Sequence, residues 1–146
     1  CMSGEKEFRR WIVSNAGKDW MMQTIETSTG TGVPDLFMCV DGFQIWAELK
    51  STPLTHCYMR ISQWRWFCKY TSRGGFGLLI IKREKARRVD VYSVRKLVQF
   101  DASTECILRG QDIIFPTTVQ PAFTYKLGTG NGTFYKQLLE YIDKEY

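Results

Sequence analysis

Histidine is nearly absent from this sequence: His56 stands alone among 146 residues. The five cysteines (Cys1, Cys39, Cys57, Cys68 and Cys106) include no C-x-x-C spacing. A zinc site, which needs clustered imidazole or thiolate ligands, is therefore disfavoured. An odd number of scattered cysteines also fits reduced thiols in a cytosol better than a disulfide framework.

Long apolar runs and signal-peptide patterns are missing too, so we expect a soluble, cytoplasmic protein with no membrane contact. The sequence contains no internal repeat and no low-complexity segment. A hydrophobic fraction of 44% and an aromatic fraction of 14% exclude a disordered chain. We expect residues 1–146 to form one domain. The net charge of +5 suits a polyanionic partner, although charge alone is weak support.

The stretch Gly32–Lys50 predicts a β-hairpin. Asp41-Gly42 favours a tight two-residue turn, and apolar runs flank this dipeptide on both sides. With Asp41-Gly42 as the turn, Val40 pairs with Phe43. The same register places Asp35 directly opposite Glu48, with Cβ atoms roughly 5 Å apart.

Alternation along the two strands gives the hairpin one apolar face and one polar face. Asp35, Glu48 and Lys50 lie on the polar face, with Phe37 and Trp46 beside them. Two carboxylates this close repel each other unless a positive charge lies between them, usually a hard divalent cation. Asp35 and Glu48 are therefore the expected ligands of Mg²⁺ or Mn²⁺.

Lys50 can hold or deprotonate a water molecule beside that metal, which would complete the equipment for metal-assisted hydrolysis of a phosphodiester. The alternative interpretation is an ordinary amphipathic hairpin whose polar face is merely solvated.

The segments Gly32-Val33-Pro34-Asp35 and Glu48-Leu49-Lys50 resemble the core motif of the PD-(D/E)XK nuclease superfamily. Within that superfamily they are most similar to the VRR-NUC domains and the archaeal-type Holliday-junction resolvases. The resemblance implies an α/β fold with a restriction-endonuclease-like core, in which helices flank a central mixed β-sheet. It places the core motif region at residues 5–92 and leaves residues 93–146 as a C-terminal extension of the nuclease domain.

The resemblance also implies a function: a divalent-metal-dependent DNA endonuclease of recombination or repair that cuts branched DNA, such as a four-way junction, as a homodimer. The Leu49 backbone carbonyl would help Asp35 and Glu48 to hold the metal. Three alternatives remain open: a sequence-specific restriction-type nuclease, a non-catalytic DNA-binding module, and a structural subunit of a replication or recombination assembly.

A first amphipathic helix is predicted over residues 5–16, with Ser3 as its N-cap and Gly17 as its C-terminal stop. Glu5 extends the apolar stripe of Phe8 and Ile12. In the family a glutamate in this position is a further metal-site carboxylate, so Glu5 is a candidate and Glu7 its reserve. The alternative is that Glu5 only complements the helix N-terminus.

A second helix is predicted over Arg60–Ser72, with Trp64 and Phe67 among the side chains that face the sheet. Gln63 lies one turn before Phe67, from where it could reach the water or the scissile phosphate near Lys50. VRR-NUC-like proteins carry a glutamine in a similar helix, and this likeness makes Gln63 a candidate catalytic residue.

Two segments are candidate DNA contacts. The loop 26–32 brings hydroxyls and backbone amides to Asp35, and the turn 82–88 is strongly basic. The alternatives are a flexible connection and a solvated hairpin end. The full candidate set is Arg60, Lys82, Arg83, Lys85, Arg87, Arg88, Ser28, Thr29 and Thr31.

The remaining elements are predicted more coarsely. Segment 51–59 is expected to be a loop in which His56 is incidental, and a strand–helix–strand succession predicts a parallel crossover. Expected strands are Trp20–Ile25, Phe76–Lys82 and Val89–Val94, and expected helices are Arg95–Phe100 and Phe134–Tyr146, the last capped by Thr133. The helix Phe134–Tyr146 and the side chains of Trp64 and Trp66 are candidate contact surfaces of a homodimer. The alternatives are that they belong to the protein core or stack on DNA.

Overall fold

The computed structural model describes residues 2–26, 32–53, 57–101, 107–109, 112–115, 120–128 and 131–146. The predicted DNA contacts of Ser28, Thr29 and Thr31 lie outside these residues, as does His56. The described elements, in chain order, are α1 (Met2–Ser14), β1 (Met21–Thr24), β2 (Leu36–Val40), β3 (Phe43–Thr52), β4 (Cys57–Arg60), α2 (Ile61–Ser72), β5 (Gly77–Arg83), β6 (Arg88–Ser93), α3 (Val94–Asp101), β7 (Ile107–Arg109), β8 (Asp112–Phe115), β9 (Phe123–Lys126) and α4 (Asn131–Glu145).

Within the described part of the chain, six strands form a mixed sheet in the order β1-β2-β3-β5-β6-β9. The pairing of β3 with β5 is parallel, and the other neighbours are antiparallel. A second sheet has the order β4-β8-β7. The expected α/β architecture, a central mixed sheet flanked by helices, is confirmed. The edge strand β9 comes from the predicted C-terminal extension, which therefore completes the same sheet.

The hairpin of β2 and β3 has the predicted register, because Val40 pairs with Phe43 and Leu36 with Ala47. The turn residues Asp41 and Gly42 have φ angles of 50° and 82°. Positive φ at both central residues is the geometry of a type I′ turn, whose twist matches that of the strands. One further step of this register places Asp35 opposite Glu48.

The predicted crossover from β3 through α2 to β5 is also present and makes a parallel pair. Trp64 and Phe67 are buried, as the helical periodicity predicts. Gly74 lies in the turn directly after α2 and has a φ angle of 88°. The unbroken apolar run of β5 is almost entirely buried, as expected of a central strand covered on both faces.

Two hydrophobic layers lie on opposite faces of the large sheet. On one face, Phe8 and Ile12 of α1 and Phe134, Leu138 and Ile142 of α4 pack against apolar side chains of the central strands. On the other face, α2 and α3 pack through a separate cluster that includes Trp64 and Phe67. Glu48 and Lys50 alternate with Leu49, so they lie on the face of α2 rather than that of α1.

Several predicted boundaries are wrong. Helix α1 begins at Met2 and ends at Ser14, so Ser3 is not its N-cap and Gly17 is not its stop. The segment 51–59 is not simply a loop, because β3 continues to Thr52 and β4 begins at Cys57. Helix α4 begins at Asn131, ahead of the predicted cap Thr133.

The extension of β3 has a clear physical reason. Ser51 and Thr52 pair with Lys82 and Arg83 of β5, so a partner distant in sequence prolongs the strand beyond the hairpin. Cys39 and Cys68 form no disulfide in the described part of the chain. None of the helices in the described ranges has the length and apolar character needed to cross a membrane.

Candidate active site

Two backbone hydrogen bonds tie Asp35 and Glu48 together across the hairpin. The Asp35 N–H donates to Glu48 Oε1 at 3.3 Å, and the Leu49 N–H donates to Asp35 Oδ2 at 3.0 Å. The carboxylate of Glu48 is thus held by the backbone of Asp35, and the carboxylate of Asp35 by the backbone of Leu49, the residue after Glu48. The arrangement follows from the register, since Asp35 directly precedes β2 and Glu48 lies in the opposite stretch of β3.

The chain enters this site through a glycine that no other residue could replace easily. Gly32 has a φ angle of 79°, and a Cβ atom there would overlap the backbone carbonyl of Ser62 in α2. The backbone before Asp35 therefore lies directly against the first turn of α2. Pro34, between these two residues, is buried. This close approach places Asp35 beside the helix that carries Gln63.

Lys50 and Gln63 both reach the second oxygen of Glu48. Gln63 Nε2 donates to Glu48 Oε2 at 2.8 Å, and Lys50 Nζ lies 3.2 Å from the same oxygen. Lys50 Nζ also donates to Gln63 Oε1 at 3.5 Å. The structure therefore brings together four of the predicted site residues: Asp35, Glu48, Lys50 and Gln63.

The orientation of the Gln63 amide is set by the helix that carries it. Its Oε1 accepts the Arg60 backbone N–H at 3.2 Å, which satisfies a donor at the N-terminus of α2. With Oε1 engaged there, Nε2 is directed at Glu48. Gln63 thus joins the start of α2 to the acid pair, a positioning role that its sequence context alone does not reveal.

The fold opposes the ionisation of Glu48. This side chain is only 1% exposed. Burial, followed by the charge of Asp35, raises the pKa of Glu48 to about 8, while Lys50 acts in the opposite direction. In a cation site built from two carboxylates, each acid is hard to ionise until a further positive charge is present. The raised pKa of Glu48 fits such a site.

The donor set at this site fits a hard divalent cation. Asp35 and Glu48 both supply carboxylate oxygens. Their mutual repulsion would be relieved by a cation between them. The acids form a pair and not a larger cluster: no group of three or more His, Cys, Asp or Glu able to hold a metal occurs within the described ranges.

Glu5 is not brought to this pair. It lies half-buried on α1, whose apolar stripe packs on the face of the sheet opposite that of Glu48 and Lys50. The reserve candidate Glu7 is exposed on the same helix. A metal-site role for Glu5 stays a prediction.

A scan against protein-family models gave no match, and a search of curated protein sequences gave none either. Among solved structures, the chain is similar to Hjc of Archaeoglobus fulgidus, a Holliday junction resolvase from an archaeal hyperthermophile. The TM-score is 0.56 at 12% sequence identity, and the match covers 89% of this chain and 96% of that chain. This likeness confirms the expected fold, an α/β domain with a restriction-endonuclease-like core. The resolvase-like fold spans nearly the whole chain, beyond the region that the sequence motif covers.

Most of the predicted DNA-contacting cations lie at one end of the resolvase-like sheet. Lys82 pairs with Ser51, directly after Lys50, so the turn that follows β5 emerges at the same end as the site. Lys85 and Arg87 are exposed in that turn, and Arg60 is exposed just before α2. Their positions are compatible with contacts to a phosphate backbone that passes the acid pair.

Arg83 is placed differently from this expectation. It is buried, its Nε donates to Asp90 Oδ2 at 3.2 Å, and its terminal nitrogen donates to the Tyr92 hydroxyl at 2.9 Å. Arg88 also pairs with Asp90, at 3.1 Å, from a partly exposed position. Arg83 is therefore an internal structural cation and is not available for a phosphate contact.

The sequence interpretation missed this ion-pair network. Asp90 is 1% exposed and also accepts the Thr124 hydroxyl at 2.8 Å from β9. Strand alternation could have indicated it. In the hairpin of β5 and β6, Arg83, Arg88 and Asp90 lie on one face once the position of the turn is known. The position of β9 could not be inferred in the same way.

Proposed function

We propose that this protein is a divalent-metal-dependent DNA endonuclease that hydrolyses phosphodiester bonds in branched DNA, including four-way junctions. The observation that carries the proposal is the joined set of Asp35, Glu48, Lys50 and Gln63, seated in a fold similar to that of an archaeal Holliday junction resolvase. A narrower assignment to the VRR-NUC domains belongs to this proposal and rests on the sequence motif.

In this mechanism Asp35 and Glu48 would hold Mg²⁺ or Mn²⁺ together with the Leu49 carbonyl, and Glu5 is an additional candidate ligand. The ion would supply positive charge to the scissile phosphate and to an attacking water. Lys50 Nζ, next to Glu48 Oε2, holds that water or accepts its proton. Gln63 keeps Glu48 oriented through its 2.8 Å hydrogen bond.

Contacts to the phosphate backbone determine how DNA lies across these groups. We assign them to Arg60, Lys82, Lys85, Arg87 and Arg88, and the proposal extends to Ser28, Thr29 and Thr31. Residues 1–146 would act as one nuclease domain.

The decisive experiment is a cleavage assay on linear, nicked, flapped and four-way DNA of matched sequence, with and without Mg²⁺. We expect cleavage only when Mg²⁺ or Mn²⁺ is present, with the branched substrates cut in preference to linear duplex. Full activity in excess chelator would contradict the metal mechanism. No cleavage of any substrate with either metal would instead favour a non-catalytic DNA-binding module.

The first mutational prediction concerns the acid pair. Asp35→Asn and Glu48→Gln should each abolish cleavage and leave the circular dichroism spectrum unchanged, because both substitutions keep the side-chain size and remove the anionic ligand. Glu140→Gln is the matched control, since Glu140 is exposed on α4, and it should cleave like the wild type. Wild-type rates in both site variants would show that the site lies elsewhere.

A further inference from the structure

A row of aromatic side chains leads away from the acid pair along the polar face of the hairpin. Phe37 lies two residues after Asp35, and Trp46 lies two residues before Glu48; their ring centroids are 5.2 Å apart. Trp46 contacts Trp66 of α2 at 5.4 Å, and Trp66 contacts Tyr70 at 5.1 Å. We refer to Phe37, Trp46, Trp66 and Tyr70 as the aromatic row.

The aromatic row is partly exposed along its whole length. Adjacent rings are tilted by 55°, 60° and 37° rather than stacked face to face. Each ring therefore contacts its neighbour at an angle and keeps a partly exposed surface. Beyond the row, the same sheet face continues to Gln23, which pairs with Phe37, and to Met21, which is 58% exposed.

The row begins at the catalytic groups. Gln63, Trp66 and Tyr70 lie at positions i, i+3 and i+7 of α2, so they share one side of that helix. Gln63 is the residue that hydrogen-bonds Glu48. A molecule lying on the row would thus have one end at the site where the scissile phosphate is proposed to bind.

The charge around the row is positive. Arg65 and Lys69 directly precede Trp66 and Tyr70, Arg73 follows one turn later, and all three are exposed. Strands β1 and β2 and helix α2 contain no acidic residue, and Glu48 is the only one in β3. A cationic stripe therefore runs beside the aromatic one, as in surfaces that hold single-stranded nucleic acid.

We propose that the aromatic row is a stacking platform for unpaired bases of the nucleic acid cut at the Asp35–Glu48 site. This rests on the proposed function and specifies its substrate class. Bases inside a duplex already stack on their neighbours, whereas an unpaired base has a face free to lie on a protein ring. The preferred substrate is then DNA with unpaired nucleotides next to the scissile phosphate, and Arg65, Lys69 and Arg73 contact its backbone.

The test measures binding in excess chelator, where the proposed cleavage cannot occur. Two labelled DNAs are compared at one salt concentration: a fully paired duplex and the same duplex with a short unpaired bulge. We expect the wild type to bind the bulged DNA about tenfold more tightly, the scale of one base stacked on an aromatic ring. A 2-aminopurine placed in the bulge should lose fluorescence on binding.

Variants separate stacking from charge. Trp66→Leu keeps an apolar side chain but removes the ring face, so most of the preference for the bulge should disappear. Trp66→Phe keeps a ring face and should retain most of that preference. Lys69→Ala is the charge control and should weaken binding to both DNAs by the same factor. If Trp66→Leu does not fold, Phe37→Leu on β2 gives the same comparison.

The outcomes are distinct. Equal wild-type affinity for the two DNAs would overturn the platform and leave metal-dependent cleavage untouched. A wild-type dimer that becomes monomeric in Trp66→Leu, with an unchanged bulge preference, would identify the row as an interface between copies of this chain and would overturn the platform as well. Failure to bind either DNA, together with no cleavage in the metal assay, would remove the proposed function itself.

Discussion

At the scale of single residues, Glu48 links the chemistry of the site to the stability of the fold. Its pKa is raised from an ordinary value near 4.5 to about 8, chiefly because it is buried. Between those values the unfolded chain releases the proton that the folded chain retains. The contribution of Glu48 to stability is therefore complete below the lower value and is lost as pH rises through the upper one.

This linkage predicts a pH-dependent difference between the wild type and Glu48→Gln. In chelator, the free energy of unfolding of the wild type should fall relative to that of the variant, by up to about 1.4 kcal/mol per pH unit between the two pKa values. Denaturant titrations at several pH values measure the difference.

Added Mg²⁺ should reduce the loss for the wild type and not for Glu48→Gln, because a bound cation favours the ionised acid. Parallel curves for the two proteins over the whole pH range would contradict the raised pKa.

A second residue-scale prediction separates catalysis from binding. Lys50→Ala should slow single-turnover cleavage by roughly 10²–10⁴-fold, the scale of a lost proton-transfer group. DNA affinity should change little, because one cation is a small share of the backbone contacts.

Lys82→Ala is the matched control, since Lys82 pairs with Ser51 at the same end of the sheet and so lies on the face opposite that of Lys50 and Glu48. It should weaken DNA binding and leave the rate at saturation unchanged. If Lys50→Ala cleaves at the wild-type rate, the water must be activated by another group.

At the scale of elements, α4 is part of the core and not a surface for a partner. Phe134, Leu138 and Ile142 lie on one side of α4, and each is fully buried against the face of the sheet that α1 also covers. Trp64 is likewise buried beneath α2. These two expected contact surfaces of a homodimer are therefore occupied by the protein's own packing, whereas Trp66 stays partly exposed.

The corresponding prediction concerns stability. Leu138→Ala should lower the free energy of unfolding by about 2–5 kcal/mol, because it leaves a cavity in a tightly packed layer. Chemical denaturation measures this loss, and Lys136→Ala, on the exposed side of the same helix, should change it by less than about 0.5 kcal/mol. A small effect of Leu138→Ala would mean that α4 is only loosely docked.

At the scale of the whole molecule, we propose that the active unit is a homodimer. A single Asp35–Glu48–Lys50 site serves one strand at a time, whereas resolution of a four-way junction needs two opposed cuts. Two-fold pairing is the commonest way in which proteins present identical sites in opposed directions.

Sedimentation at micromolar concentration should therefore show a dimer, and the two cuts in a junction should be coupled. A strict monomer that makes uncoupled nicks would remove junction resolution from the proposed function. It would leave metal-dependent nuclease activity in place.

The sequence by itself determined the hairpin and the pairing of Asp35 with Glu48. A two-residue turn at Asp41-Gly42 and strict alternation fix the register locally, so the structure has the predicted Val40–Phe43 pair. The buried run of β5 and the helical stripes of α2 and α4 were predictable for the same reason: each pattern is contained within one element.

The tertiary structure decided everything that depends on contacts between elements distant in sequence. Glu48 has its raised pKa because of burial and the neighbouring acid, and the Gln63 amide is oriented by the start of α2. Arg83, one of a run of basic residues, turns inward because Asp90 and Tyr92 on the next strand offer it partners. Helix α1, which carries Glu5, packs on the face of the sheet opposite the acid pair, and no pattern within α1 specifies which face that is.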